Sequence, residues 1–164
     1  MSVQAPPEAA AMTLAEASRW VADRLEDGVE CPACNQHAQV YRWSLYRTAV
    51  RALVLFYKLG GTTDFVHVSQ LKAAGHQGQG DVSRLRHWGL VEEEKTRRPD
   101  GGRPGYWRVT QLGADWLEGR VTVPKYVNVY NGKVTDTYGE PVRVQDSLGN
   151  DFDLRALSIA GGSA

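Results

Sequence analysis

The sequence predicts an α+β chain whose centre, residues 43–119, runs helix, short strand, helix, helix, strand, long turn, strand, helix. Three observations predict it. Tyr46, Ala49, Val50, Leu53, Phe56 and Tyr57 recur at helical spacing, with Arg47, Arg51 and Lys58 on the opposite side. Two strand candidates, Leu90–Thr96 and Tyr106–Val109, flank RRPDGGRPG, which is too rich in turn formers to be helical and makes them an antiparallel pair. KYVNVYNGKVTD carries Asn131-Gly132, the preferred two-residue type I′ turn, between alternating strand residues, so a β-hairpin is expected over 125–137.

The other elements are taken in chain order. Residues 1–11 are Ala/Pro-rich and read as a disordered tail. Thr13 and Glu16 form a T-x-x-E capping box, and Leu14, Ala17, Val21 and Leu25 give an amphipathic helix over 14–26 that stops at Gly28. CPACNQH, residues 31–37, breaks it with turn residues Pro32 and Asn35. The strongest helix spans 44–59 and ends at Gly60-Gly61. Phe65–Val68 is a short strand, and Ser69 caps a brief helix to Ala74. GHQGQG, residues 75–80, is a helix-to-helix connection, since it lacks the Lys-Ser/Thr that completes a phosphate loop. Val82, Leu85 and Trp88 line the next helix, which Gly89 closes, and Thr110 caps a helix through Leu112, Trp116 and Leu117. PVRVQDSLGNDFD suggests a strand, a turn at 147–150 and a return, with a short closing helix at 153–158. The expected divisions are 1–11, 12–42, 43–119 and a β-rich extension, 120–160. The tryptophans at 43, 88, 107 and 116, with Trp20, are expected mainly in the core.

Charge is balanced overall but not along the chain. Lys and Arg total 19, as do Asp and Glu, which excludes a strongly basic binder. Residues 1–30 carry six acids and two bases, residues 31–110 twelve bases and six acids, and residues 111–164 seven acids and five bases. A basic middle between acidic ends hints at polyanion binding. Both cysteines lie in one C-x-x-C, so no spaced disulfide framework exists. No apolar run approaches spanning length, and the start lacks a signal-peptide pattern. The expectation is a reducing, cytoplasmic setting without a membrane partner. No local motif gathers a catalytic constellation, so no enzymatic activity is expected.

VSRLRHWGLVEEEKTRRPDGGRPGYWRVTQLGADWL resembles the V-x-x-L-x-x-x-G-L-V … Y-x-L-T-x-x-G run of bacterial winged-helix regulators such as the MarR and PadR families. The resemblance covers residues 43–119 and implies a winged helix-turn-helix. The whole chain, with its CPxC and its PKYVxxYNG hairpin, also resembles small winged-helix proteins encoded by bacteriophages of actinobacteria. MarR-type dimers use long helices at both chain ends, which this sequence lacks, so that dimer geometry is not implied.

The resemblance implies double-stranded DNA as partner and a small bacterial or phage transcriptional regulator as function. The helix at 79–88 would enter the major groove. On a wheel with Val82 and Leu85 inward, Ser83, Arg84 and His87 point outward, with Arg86 at the margin and Gln77 and Gln79 just before. Arg97, Arg98 and Arg103 on the wing suit phosphates, with Arg47 and Arg51 in support. Glu92-Glu93-Glu94 at the wing base would repel DNA. The alternative is a non-catalytic adaptor or inhibitor that binds a host protein through the winged helix or its β-rich tail. The Leu14/Val21/Leu25 stripe fits either packing on its own chain or a homodimer.

CPACNQH admits three readings: a zinc site, a redox pair, or two reduced thiols packing a turn. Cys31, Cys34 and His37 are the local candidate ligands. The spacing resembles the CPxCG zinc knuckle, with Asn35 in the position where glycine is preferred. A fourth ligand would have to come from His67, His76, His87 or a second chain's cysteine pair.

Overall fold

Apolar residues three and four apart dictate the central helix, and most other elements of its half of the chain are arranged on it. The computed structural model describes residues 3, 6–76, 80–95, 99 and 105–154. The architecture is α+β, with six α-helices and three small antiparallel sheets among the described residues. The α-helices are α1 (Leu14–Ala22), α2 (Arg47–Gly60), α3 (Ser69–Ala73), α4 (Asp81–Leu85), α5 (Gln111–Leu117) and α6 (Val144–Leu148). The strands are β1 (Val29–Glu30), β2 (His37–Ala38), β3 (Tyr41–Ser44), β4 (Val66–His67), β5 (Val91–Glu93), β6 (Tyr106–Val109), β7 (Tyr126–Tyr130) and β8 (Lys133–Tyr138). Two compact units result, residues 1–42 with 128–136, and residues 43–127 with 137–164.

In the first unit the capping box at Thr13 forms. The hydroxyl of Thr13 accepts the Glu16 N–H (3.3 Å), and the Glu16 carboxylate accepts the Thr13 N–H (2.8 Å). The helix ends at Ala22, short of the expected 26, because the backbone bonds tighten. Arg24, Asp27 and Gly28 each donate to the carbonyl three residues back, and Gly28 turns left-handed at φ 77°. The expected bare turn at CPACNQH is instead the tip of a two-stranded ladder, β1 with β2, in the register Val29↔Ala38 and Glu30↔His37. The expected tail is partly ordered. Val3 bridges Val29 in parallel, and Pro7–Ala11 forms a 3-10 turn. The hairpin tip at Asn131-Gly132 has both residues at positive φ, 51° and 73°, as a type I′ turn requires.

In the second unit α2 buries Ala49, Val50, Ala52, Leu53, Val54 and Phe56. It starts at Arg47 rather than 44, because Tyr41–Ser44 is spent on β3, a strand that helical periodicity does not reveal. α2 packs on α4 and β6, and Leu71, Val82, Leu85, Leu90, Trp107, Val109, Trp116 and Leu117 are buried with it. Replacing a fully buried leucine such as Leu53 by alanine would cost about 2–5 kcal/mol.

β4, β6 and β5 form one antiparallel sheet in that order, with Val66 opposite Trp107 and Val91 opposite Val109. Thr110 Oγ1 accepts the Gly113 N–H (3.0 Å) and caps α5. A side chain at Gly113 would strike the Leu90 carbonyl and lie 2.8 Å from Val109 Cγ1, so α5 rests on the β5–β6 ladder only because position 113 has no Cβ.

The region after 140 departs from expectation. Val142 makes one bridge to Val123 and no strand, and the stretch read as a turn is α6, begun by the Asp146 carboxylate accepting the Arg143 N–H (2.6 Å). Two core tryptophans bind the chain beyond α5. Trp116 Nε1 donates to the Val142 carbonyl (2.9 Å), and Trp88 Nε1 to that of Pro124 (2.7 Å). Burying an indole requires such an acceptor. Most of the expected closing helix at 153–158 lies outside the described residues. The third sheet has the order β3-β7-β8.

Candidate nucleic-acid interface

The residues singled out for DNA contact start from α4. The wheel takes 79–88 as one helix, but α4 spans five residues and then tightens into a 3-10 turn, Arg86–Trp88. Each residue there advances about 120° rather than about 100°. Arg86 is exposed, whereas Ser83, Arg84 and His87 are half-buried. The outward placement expected for Arg84 is therefore corrected, and the marginal Arg86 takes it.

Arg84 is held by its own chain. Its guanidinium lies over the Trp43 ring, 4.0 Å from the centroid, and Nη1 donates to Tyr46 Oη (2.9 Å). Tyr46 Oη in turn donates to Asp81 Oδ1, and Asp81 Oδ2 is 3.6 Å from Nε2 of buried His76. Burial and then the Asp81 carboxylate hold the Tyr46 phenol above its ordinary pKa, so it stays a donor. The network ties the N-terminus of α2 to the first turn of α4. Nothing local announces it, since Tyr46 and Arg84 lie 38 residues apart.

The other candidates divide clearly. Ser83 Oγ donates to the Gly80 carbonyl (2.9 Å). His87 has its pKa lowered by burial and then by the Arg86 charge, which keeps the ring neutral near pH 7. Arg47 is exposed and its Nε donates to the Ser147 carbonyl (3.3 Å), so α6 orients it. Arg51 is exposed and borders a cavity of about 600 Å3 with Lys58, Val54, Leu148 and Phe152. Gln77, Gln79, Arg97, Arg98 and Arg103 lie outside the described residues.

The glutamate triplet is less repulsive than its sequence suggests. Glu92 faces Arg108 across the β5–β6 ladder, and its Oε1 accepts from Arg108 Nη2 (2.5 Å) and Nε (2.9 Å). Arg108 also stands over the Phe65 ring, 4.4 Å from the centroid. The hairpin register alone predicts this pair, because Glu92 and Arg108 are direct cross-strand partners. His67, stacked on Tyr106 at 4.9 Å and bonded through Nδ1 to Ser69 Oγ (2.7 Å), closes the base of the same sheet.

In the first unit Cys31, Cys34 and His37 do not converge on one point. His37 Nε2 bonds Gln39 Oε1 (3.1 Å), and its ring lies against Gly28, where an added Cβ would be 3.1 Å from Cε1. Among the described residues no three His, Cys, Asp or Glu side chains form a group able to hold a metal. Cys31, Cys34 and His37 border one cavity but do not form such a group. No helix among the described residues is long and apolar enough to cross a membrane. No family model, curated protein or solved structure matches the chain.

Proposed function

We propose that residues 43–119 form a winged helix-turn-helix that binds double-stranded DNA, and that the protein acts as a small transcriptional regulator of bacterial or phage type. The observation that carries the reading is the sheet order β4-β6-β5. The short strand β4, between α2 and α3, pairs with β6 and not with β5, and an arginine-bearing segment separates β5 from β6 in sequence. This is the connectivity of a wing beside a helix-turn-helix.

In this reading α4 and the 3-10 turn after it enter the major groove with Arg86 as the exposed cation, where a guanidinium can bond guanine O6 and N7. Arg97, Arg98 and Arg103 neutralise backbone phosphates from the wing, and Arg47 and Arg51 add contacts from α2. Arg84 is a positioning residue that holds α4 at a set angle to α2. The Glu92–Arg108 pair removes one charge that would oppose the phosphates. The test is selection from a random duplex library near 50 mM salt, then titration of the selected site at rising salt. Sequence-selective binding with a steep salt slope supports the reading, and no duplex binding removes it.

One observation favours a second reading, an adaptor for a host protein. Arg84, the arginine in the middle of α4, is spent inside the chain, and the net charge is zero. Pull-down from lysate with and without nuclease separates the two, since a protein partner survives digestion of the DNA.

A further inference from the structure

The turn at residues 31–35 has the internal wiring of a metal-binding knuckle. β1 and β2 hold it at both ends, and Cys31 N–H donates to the Gln36 carbonyl (2.8 Å). The Asn35 N–H donates to the Cys31 carbonyl (2.8 Å), and Asn35 is left-handed, φ 58°. This conformation turns the chain back toward β2. Both cysteines are free, Cys31 half-exposed and Cys34 exposed. A thioredoxin-type redox pair would instead need a helix N-terminus at the first cysteine, and here a strand precedes it and a turn comes after it.

Two thiolates are half of a tetrahedral set. The chain has no third cysteine, His37 is turned to Gln39, and no larger donor group exists among the described residues. A second copy of the chain can supply the missing half. Beside the thiols opens a cavity of about 640 Å3 bordered by Leu14, Val21, Leu25 and Tyr41, where Leu14 is 78% and Tyr41 49% exposed. A helix stripe capped by so exposed a leucine, at the edge of an incomplete ligand set, fits a self-complementary contact.

We infer that Cys31 and Cys34 hold a zinc ion shared by two copies of this chain, each giving both thiolates, with the Leu14 and Tyr41 surfaces meeting around it. A two-fold axis through the ion relates the two Cys31 ligands to each other and the two Cys34 ligands to each other, and a second copy is always present at the protein's own concentration. Binding forms four Zn–S bonds and releases the four thiol protons. No electron is transferred.

The test uses the reduced, metal-stripped full chain, titrated with zinc and, in parallel, with cobalt. The expected results are one metal per two chains, a cobalt spectrum of tetrahedral tetrathiolate type, and a dimer by light scattering. His37→Ala should leave all three unchanged, and Cys34→Ser should lose the metal while keeping its circular dichroism. One metal per monomeric chain, loss of binding in His37→Ala, or no metal uptake overturns the inference. Should Cys34→Ser misfold, the stoichiometry of the parent chain and of His37→Ala still decides.

Discussion

Arg84→Ala separates a base-reading arginine from a positioning one. In the structure the substitution removes a cation–π contact with Trp43 and a hydrogen bond to Tyr46. A partly desolvated cation–π contact contributes about 0.5–2 kcal/mol. The hydrogen bond adds about 1 kcal/mol, and its loss leaves Tyr46 and Asp81 without their compensating charge. The expected loss of folding stability is about 1.5–3 kcal/mol, or roughly 3–12 °C in Tm for a chain of this size. Arg86→Ala provides the contrast. Arg86 is exposed, so its removal should change stability by less than about 0.5 kcal/mol. On a selected DNA site it should cost about 1–3 kcal/mol, roughly 5- to 150-fold in Kd. Urea unfolding monitored by tryptophan fluorescence and anisotropy titration of labelled duplex give the two numbers for each variant. If Arg84→Ala unfolds at the parental urea midpoint with an unchanged m-value, the Trp43–Arg84–Tyr46–Asp81 network does not hold α4, and the assignment of Arg84 is refuted.

Further outcomes test other parts of the molecule. Gly113→Ala should destabilise by about 1–3 kcal/mol or more, since the new methyl meets the Leu90 carbonyl and α5 must lift from the ladder; a Tm equal to the parent's would contradict that packing. Alanine at Arg97, Arg98 and Arg103 should weaken binding to all duplexes alike, lowering the log Kd against log salt slope by about 0.9 for each phosphate no longer neutralised. A loss confined to one sequence would argue for base reading by the wing instead. His87 is held neutral in the folded chain, with its pKa below the ordinary 6.5. On acidification the unfolded chain therefore takes up this proton first. The His87 contribution is complete above about pH 6.5 and is lost as pH falls toward the folded pKa. Unfolding midpoints of His87→Gln and the parent from pH 5 to 8 should diverge below about 6.5, the parent falling faster.

Much of the architecture is legible because its code is local. Thr13 and Glu16 are one turn apart, the apolar face of α2 repeats within its own length, and Asn131-Gly132 sets its turn by backbone preference alone. The need for glycine at 113 and the burial of Trp88, Trp107 and Trp116 can be read from spacing for the same reason. β1, β2 and β3 are not legible in the sequence and emerge only through their partners, whereas the equally short β4, β5 and β6 are marked by neighbouring turn formers. PVRV looks like a strand by composition. It becomes one bridge and a helix because the Trp116 indole takes the Val142 carbonyl and the Asp146 carboxylate caps α6. The candidate interface shows the same division. The residue types on α4 are plain, but their directions come from the tightening after Leu85 and from partners 35 and 38 residues away. Local sequence is enough to specify which segments fold on themselves and where the charges and thiols lie along the chain. Long-range packing alone turns Arg84 to Trp43 and Tyr46. Side-chain direction is set by contacts with distant segments, and no local spacing encodes those contacts.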